Sequence, residues 1–112
     1  MDDDEDIIEV LRLLLSKQYS IRCKINADGI CEAIIDFNPD LVMIDNFIGE
    51  KNASEIISSL KKDCPGFKAP VLLFSATANI AETAKNIGAS DYLEKPASID
   101  AIRKRVKELL GE

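Results

Sequence analysis

Four places in this 112-residue chain hold side chains that could act together: the acidic run Asp2-Asp3-Asp4, Asp45 after an apolar stretch, Ser75 after another, and Lys95 ahead of Pro96. Two or three carboxylates brought together are what a hard divalent ion such as Mg²⁺ requires, because like charges at close range repel until a cation neutralises them. A lysine and a hydroxyl then complement the oxygens of a phosphoryl group. The chain has no histidine, which removes every His-based general base, every Ser-His or Cys-His nucleophile pair and any phosphohistidine. Taken singly, each residue has a plainer reading. Asp2 to Asp6 would be a solvated acidic run at a helix N-terminus, Asp45 a strand-end turn former, Ser75 a helix cap and Lys95 a surface charge. The elements that position them decide between the two.

Ile7, Val10, Leu11, Leu14 and Leu15 recur with helical spacing and predict an amphipathic helix from about Asp4 to Lys17. From Tyr19 to Ile25 the pattern alternates, with Ile21, Cys23 and Ile25 on one face, as in a half-exposed edge strand. Asn26 to Gly29 reads as a turn, Ile30 to Phe37 as a short helix ending before Pro39, and Leu41 to Ile44 as a buried parallel strand. Asn52-Ala-Ser-Glu55 has the spacing of a capping box and starts a helix that stops before Cys64-Pro-Gly66. Val71 to Ser75 is a second buried strand, Asn79 to Ile87 an Ala-rich helix, and Asp91 to Glu94 a short strand. Ser98 caps a last helix with the stripe Ile99, Ile102, Val106 and Leu109. Strands alternating with helices mean a parallel sheet covered on both faces, and in such sheets functional groups gather beyond the C-terminal strand ends. Asp45, Ser75 and Lys95 all follow strand ends, and the acidic run precedes the first helix. One rim would hold them all.

Composition narrows the class. Fourteen Lys plus Arg against twenty Asp plus Glu give a net charge of −6, with no basic block, which argues against a nucleic-acid surface. A 46% apolar fraction predicts a packed core in one small soluble domain. No apolar run approaches the roughly 20 residues that span a bilayer, and the acidic N-terminus is unlike a secretory signal, so a cytoplasmic location is expected. Cys23, Cys31 and Cys64 are an odd number without CxxC spacing, so the expectation is three small buried or half-buried hydrophobes rather than a disulfide or a zinc site.

Four segments in order, Asp2-Asp3-Asp4-Glu5-Asp6-Ile7, Pro39 to Asp45, Val71 to Ala76, and Gly88 to Pro96, resemble the receiver domains of two-component response regulators. The resemblance covers nearly the whole chain, residues 1–112 as one receiver domain. It implies a flavodoxin-like three-layer α/β/α fold whose central parallel sheet has the order 2-1-3-4-5 in the family. It implies Asp45 as phosphoryl acceptor, Asp3 as direct Mg²⁺ ligand with Asp2 acting through water, and the Phe47 carbonyl as another ligand. Lys95 would pair with the phosphoryl oxygens, Ser75 would hydrogen-bond them, and Tyr92 would be the aromatic switch residue. Three departures stand out. Gly49 replaces the usual proline and Asn52-Ala53 the usual Asp/Asn-Gly, which implies a looser loop after Asp45; Ala97 replaces a large apolar residue. The family's hydrophobic first strand has no counterpart, since Met1 stands directly before Asp2.

The function so implied is a phosphorylatable signalling switch that takes a phosphoryl group from a sensor histidine kinase or a histidine phosphotransfer protein. It catalyses its own phosphotransfer and dephosphorylation without being a turnover enzyme. A downstream target would read the face formed by the 79–87 helix, the 91–94 strand and the last helix. No residues remain after the last helix for an output domain, so the expectation is a stand-alone receiver. Two alternatives are a pseudo-receiver, using the fold for protein interaction without phosphorylation, and a receiver excised from a larger regulator or hybrid kinase.

Overall fold

In the computed structural model, which describes residues 1–112, helices and strands alternate largely as the hydrophobic patterning predicts. Helix α1 (Glu5–Leu15) begins where the Asp4 side chain accepts from the Asp6 and Ile7 N–H groups. Helix α2 (Ile30–Phe37) lies between Gly29 and Asn38, both left-handed. Strand β1 (Val42–Ile44) leads into a hairpin of β2 (Phe47–Ile48) and β3 (Lys51–Asn52). Asn52 caps α3 (Ala53–Asp63) by accepting from the Glu55 N–H at 2.9 Å. Strand β4 (Val71–Ser75), helix α4 (Ile80–Ile87), strand β5 (Asp91–Glu94) and helix α5 (Ile99–Leu110) follow, with Ser98 capping the last.

Strands β1, β4 and β5 form a parallel sheet in the order β1-β4-β5, with Ile44 opposite Leu73 and Ser75 opposite Glu94. All five residues of β4 are buried, as the centre of a two-sided sheet demands. On one face Val42, Ile44, Val71 and Leu73 pack with α3 and α4 residues, and with α2 at the margin. On the other, Phe74 packs with Leu14 and Leu15 of α1 and with Ile102 and Val106 of α5. The three-layer α/β/α architecture is therefore present, with the strand C-termini on one rim.

Three expectations are corrected: the 19–25 edge strand, two stripe positions and the cysteines. Residues 19–25 keep half-buried Ile21 and Cys23 between exposed Ser20 and Arg22, yet they form no strand. A strand is defined by its ladder, and no strand runs between this segment and β1; a cleft of about 570 Å³ lies there instead, lined by Leu11, Leu15, Ile21, Cys23, Leu41 and Met43 among others. Within the helical stripes, Val10 (55% exposed) and Ile99 (54%) face outward, and Ile8 is buried in place of Val10. The loop after Asp45 closes as the β2-β3 hairpin, with Gly49 at φ +62°, a value closed to proline. Cys31 and Cys64 are joined as a disulfide across α2 and the end of α3, with Cα atoms 5.6 Å apart, while Cys23 is free. With the family's first strand without a counterpart and no strand formed over 19–25, the three paired strands are the last three of the family's 2-1-3-4-5 order.

Met1 lines one end of the cleft, and Asp2 follows it. The Met1 amine donates to the Met43 carbonyl at 2.6 Å, the Met1 carbonyl accepts from the Asp45 N–H at 3.0 Å, and the Asp2 N–H donates to the Lys24 carbonyl at 3.1 Å. Two residues thus bridge β1 and the 19–25 segment, as one rung of a parallel ladder would.

Candidate functional site

Asp45, Ser75 and Lys95 each sit at the C-terminal end of a parallel strand. Asp45 follows β1, Ser75 closes β4, and Lys95 follows β5, where its N–H donates to the Ser75 carbonyl at 3.0 Å. The Met1 rung delivers Asp2 and Asp3 to the same rim. Carboxylate oxygens of Asp2, Asp3 and Asp45 lie within 4.8 Å of one another. Lys95 Nζ is 2.6 Å from Asp2 Oδ2 and 3.7 Å from Asp45 Oδ2, and 5.3 Å from the centroid of the Phe74 ring.

The three carboxylates differ in their surroundings. Asp2 is 3% exposed and accepts from Lys95 and from the Asp4 N–H. Asp3 is exposed and accepts from the Gly49 N–H at 2.8 Å, a bond that a proline at this position could not donate. Asp45 is half-buried, with one oxygen taking the Asn46 N–H at 2.8 Å and the other turned toward Lys95. Three carboxylates against one lysine ammonium leave an excess of negative charge, and the donors are all hard oxygens. Both facts fit Mg²⁺.

Ser75 is buried (3% exposed) at the edge of this cluster, with its hydroxyl 2.8 Å from Thr77 Oγ1. Phe47, two residues past Asp45, opens β2 with its side chain 62% exposed. Tyr92 lies apart, on the outer side of β5 at 38% exposure; its carbonyl accepts from Arg105 of α5, which also pairs with Asp91 at 2.9 Å. Three participants escaped the sequence reading. The Met1 amine is buried, and desolvation pushes its pKa below the ordinary 8.0 of a terminal amine. Asn46 and Thr77 link the Asp45 and Ser75 strand ends. The only hint of them was that polar residues continue past two apolar strands.

Residues 1–107 match the response regulator receiver domain. The chain belongs to that family. It is a receiver domain of two-component signalling, and its fold is shared with solved receivers. The receiver domain of NtrX from Brucella abortus is 30% identical, with TM-score 0.84 over 98% of this chain and 94% of that one. A response regulator receiver protein from Burkholderia phymatum is 27% identical, with TM-score 0.83 over 99% and 91%. The BeF3-activated N-terminal receiver domain of Klebsiella pneumoniae RstA, at 21% identity, shares the fold with TM-score 0.86 over 99% and 95%. Among curated sequences, the uncharacterized transcriptional regulatory protein YkoG of Bacillus subtilis (strain 168) is 30% identical over 115 residues, 100% of this chain and 50% of YkoG. The receiver spans about half the length of that relative. No helix is long and apolar enough to cross a membrane.

Proposed function

We propose that this receiver is a phosphorylatable switch whose acceptor is the Asp45 carboxylate. The donor is a phosphohistidine on a sensor kinase or phosphotransfer protein: the phosphorus–nitrogen bond of the donor breaks as an Asp45 oxygen–phosphorus bond forms, and the imidazole leaves. Water later hydrolyses the aspartyl phosphate. The observation that carries this reading is the convergence of the Asp2, Asp3 and Asp45 oxygens within 4.8 Å, with Lys95 Nζ 3.7 Å from Asp45. Asp2, Asp3 and Asp45, with the Phe47 carbonyl, would hold Mg²⁺, which supplies charge neutralisation for phosphoryl oxygens. Lys95 is already shared between Asp2 and Asp45, so a phosphoryl group on Asp45 exchanges one anionic partner of the ammonium for another. Ser75 supplies a hydroxyl beside it.

The output is read on the face of α4, β5 and α5, where Tyr92 and Ile99 offer exposed apolar surface. The protein works in the cytoplasm, where such kinases present their phosphohistidines. Treatment with acetyl phosphate and Mg²⁺ tests the assignment. One phosphoryl group adds to the intact mass, and Asp45→Asn or Asp45→Ala abolishes it. An unchanged mass in the unsubstituted protein favours the pseudo-receiver, and labelling that survives the substitution moves the acceptor elsewhere.

A further inference from the structure

Gly49 supplies the one hydrogen bond that the Asp3 carboxylate accepts. Strands β2 and β3 pair Phe47 with Asn52 and Ile48 with Lys51, so Gly49 and Glu50 form a two-residue hairpin turn. In such a turn the N–H groups of the two loop residues stand outside the ladder, and neither Gly49 nor Glu50 donates to a backbone carbonyl. The spare Gly49 N–H goes to Asp3 Oδ2 at 2.8 Å. The donor side of this bond is anchored. Ile48, the residue before Gly49, is 2% exposed and packs in the core with Ile44, Ala53 and Ile56. The Asn46 carbonyl accepts from the Ala53 N–H at 2.7 Å, and Asn52 at the other end of the hairpin caps α3. The acceptor side is not anchored otherwise, since Asp3 is exposed.

An anchored donor on an exposed carboxylate bears on the metal reading. A free aspartate samples several rotamers, and those turned away from Asp2 and Asp45 must be given up before three carboxylates close on one ion. A carboxylate has two oxygens with about four acceptor sites, so a bond to one N–H leaves Asp3 able to face its neighbours. With that bond in place, carboxylate oxygens of Asp2, Asp3 and Asp45 already lie within 4.8 Å of one another. We propose that Gly49 is a positioning residue: its backbone N–H, carried by the β2-β3 hairpin, orients the Asp3 carboxylate for Mg²⁺. Phe47, whose carbonyl is read as another ligand, opens the same hairpin, so one turn serves two ligands. The inference rests on the reading of Asp3 as an Mg²⁺ ligand and adds to it the group that holds Asp3.

The test uses MgCl₂ alone, without a phosphodonor, and reads amide protons by NMR. Coupling between the bond and the ion is reciprocal: if the bond favours the ion, the ion favours the bond. Saturating Mg²⁺ should slow solvent exchange of the Gly49 amide about fivefold and leave that of Glu50 within about twofold, and Asp3→Ala should remove the difference. Gly49→Pro, which has no N–H, should raise the Mg²⁺ dissociation constant about fivefold. Gly49→Asn keeps the N–H and suits the positive φ, and no other part of the chain comes within 4 Å of where its Cβ would stand. Its dissociation constant should stay within about twofold of the unsubstituted chain. A hairpin that served packing alone would let the Gly49 and Glu50 amides respond to Mg²⁺ alike. If Gly49→Pro melts below the assay temperature, the exchange measurement decides. Amide shifts that report Mg²⁺ binding, combined with unchanged Gly49 exchange or with a dissociation constant unmoved by Gly49→Pro, overturn the positioning role and leave the metal site standing. No Mg²⁺-dependent shift at all overturns the metal reading, and the positioning role with it.

Discussion

The Met1 amine is the most unusual group in the molecule, a terminal ammonium buried between β1 and the cleft and held by the Met43 carbonyl. Desolvation lowers its pKa in the folded chain below 8.0, so under mildly acidic conditions the unfolded chain binds more protons than the folded one. Stability therefore climbs as pH rises from that lowered pKa to 8.0 and flattens above it. Cys23, Asp2 and Asp45 attract the ammonium and offset part of the desolvation, while Lys95 adds to it. N-terminal acetylation keeps an N–H for Met43 and removes the charge, so urea midpoints measured on both sides of pH 8 should lose this slope. A slope that survives acetylation belongs to another group. Asp3 is the residue for which the metal reading is sharpest, since it is exposed and engages no cation. Mg²⁺ should raise the melting temperature by mass action, and Asp3→Ala should remove most of that gain. An undiminished gain in the variant would move the ligand set away from Asp3.

At the scale of elements, capping separates rigid helices from soft ones. Asp4, Asn52 and Ser98 cap α1, α3 and α5 with side-chain hydrogen bonds, each worth about 1 kcal/mol. Helix α4 has no such cap, its Asn79 sits at φ +53°, and its eight residues bury only Ile80 and Ala84. A helix that short has little stability of its own and holds its place through few contacts. It also follows directly on Ser75-Ala76-Thr77, the segment that a phosphoryl group would pull. Phosphorylation should therefore draw Ser75 toward Asp45, let Tyr92 turn inward, and shift α4, β5 and the facing side of α5 together. Amide spectra with and without beryllofluoride read this directly. Shifts confined to the β1–β2 loop would show that the site does not communicate with α4.

For the whole molecule, the cleft beside β1 is the feature with the largest consequence. β1 is hydrogen-bonded along one edge by β4 and meets only Met1 on the other, while the 19–25 segment keeps a strand-like alternation with no ladder to join. An apolar strand of five or six residues joined to the Met1 nitrogen would continue the existing rung, replace the buried ammonium by an amide, and cover Leu41 and Met43. Such an extension should raise the melting temperature by about 10 °C, the shift that ~2 kcal/mol produces in a domain of this size. It should also convert residues 19–25 into a strand protected from hydrogen exchange. A Gly-Ser extension of equal length is the control. If it gains as much, the cleft takes no strand and the sheet is complete as β1-β4-β5.

Much of this was legible in the linear chain, because the signals concerned are local. The apolar run after Pro70 and the short segment between Gly88 and Pro96 marked Val71–Ser75 and Asp91–Glu94, and Asn52 and Ser98 announced their helices through side chains that reach only three positions ahead. The convergence of Asp2, Asp45, Ser75 and Lys95 followed from the same logic, since polar residues after parallel strands end on one rim. Pairing could not be read that way. Residues 19–25 had a strand's pattern, yet a strand also needs a neighbour with free backbone groups, and that depends on what else lies beside it. Cys31 and Cys64, 33 residues apart, meet because α2 and α3 pack on one face of the sheet. Asn46 and Thr77 lie on separate strand ends, and the burial of Met1 depends on β1 beneath it. Periodicity and caps are written in neighbouring residues; ladders, cross-strand hydrogen bonds and the desolvation of a charge arise only when distant segments pack together.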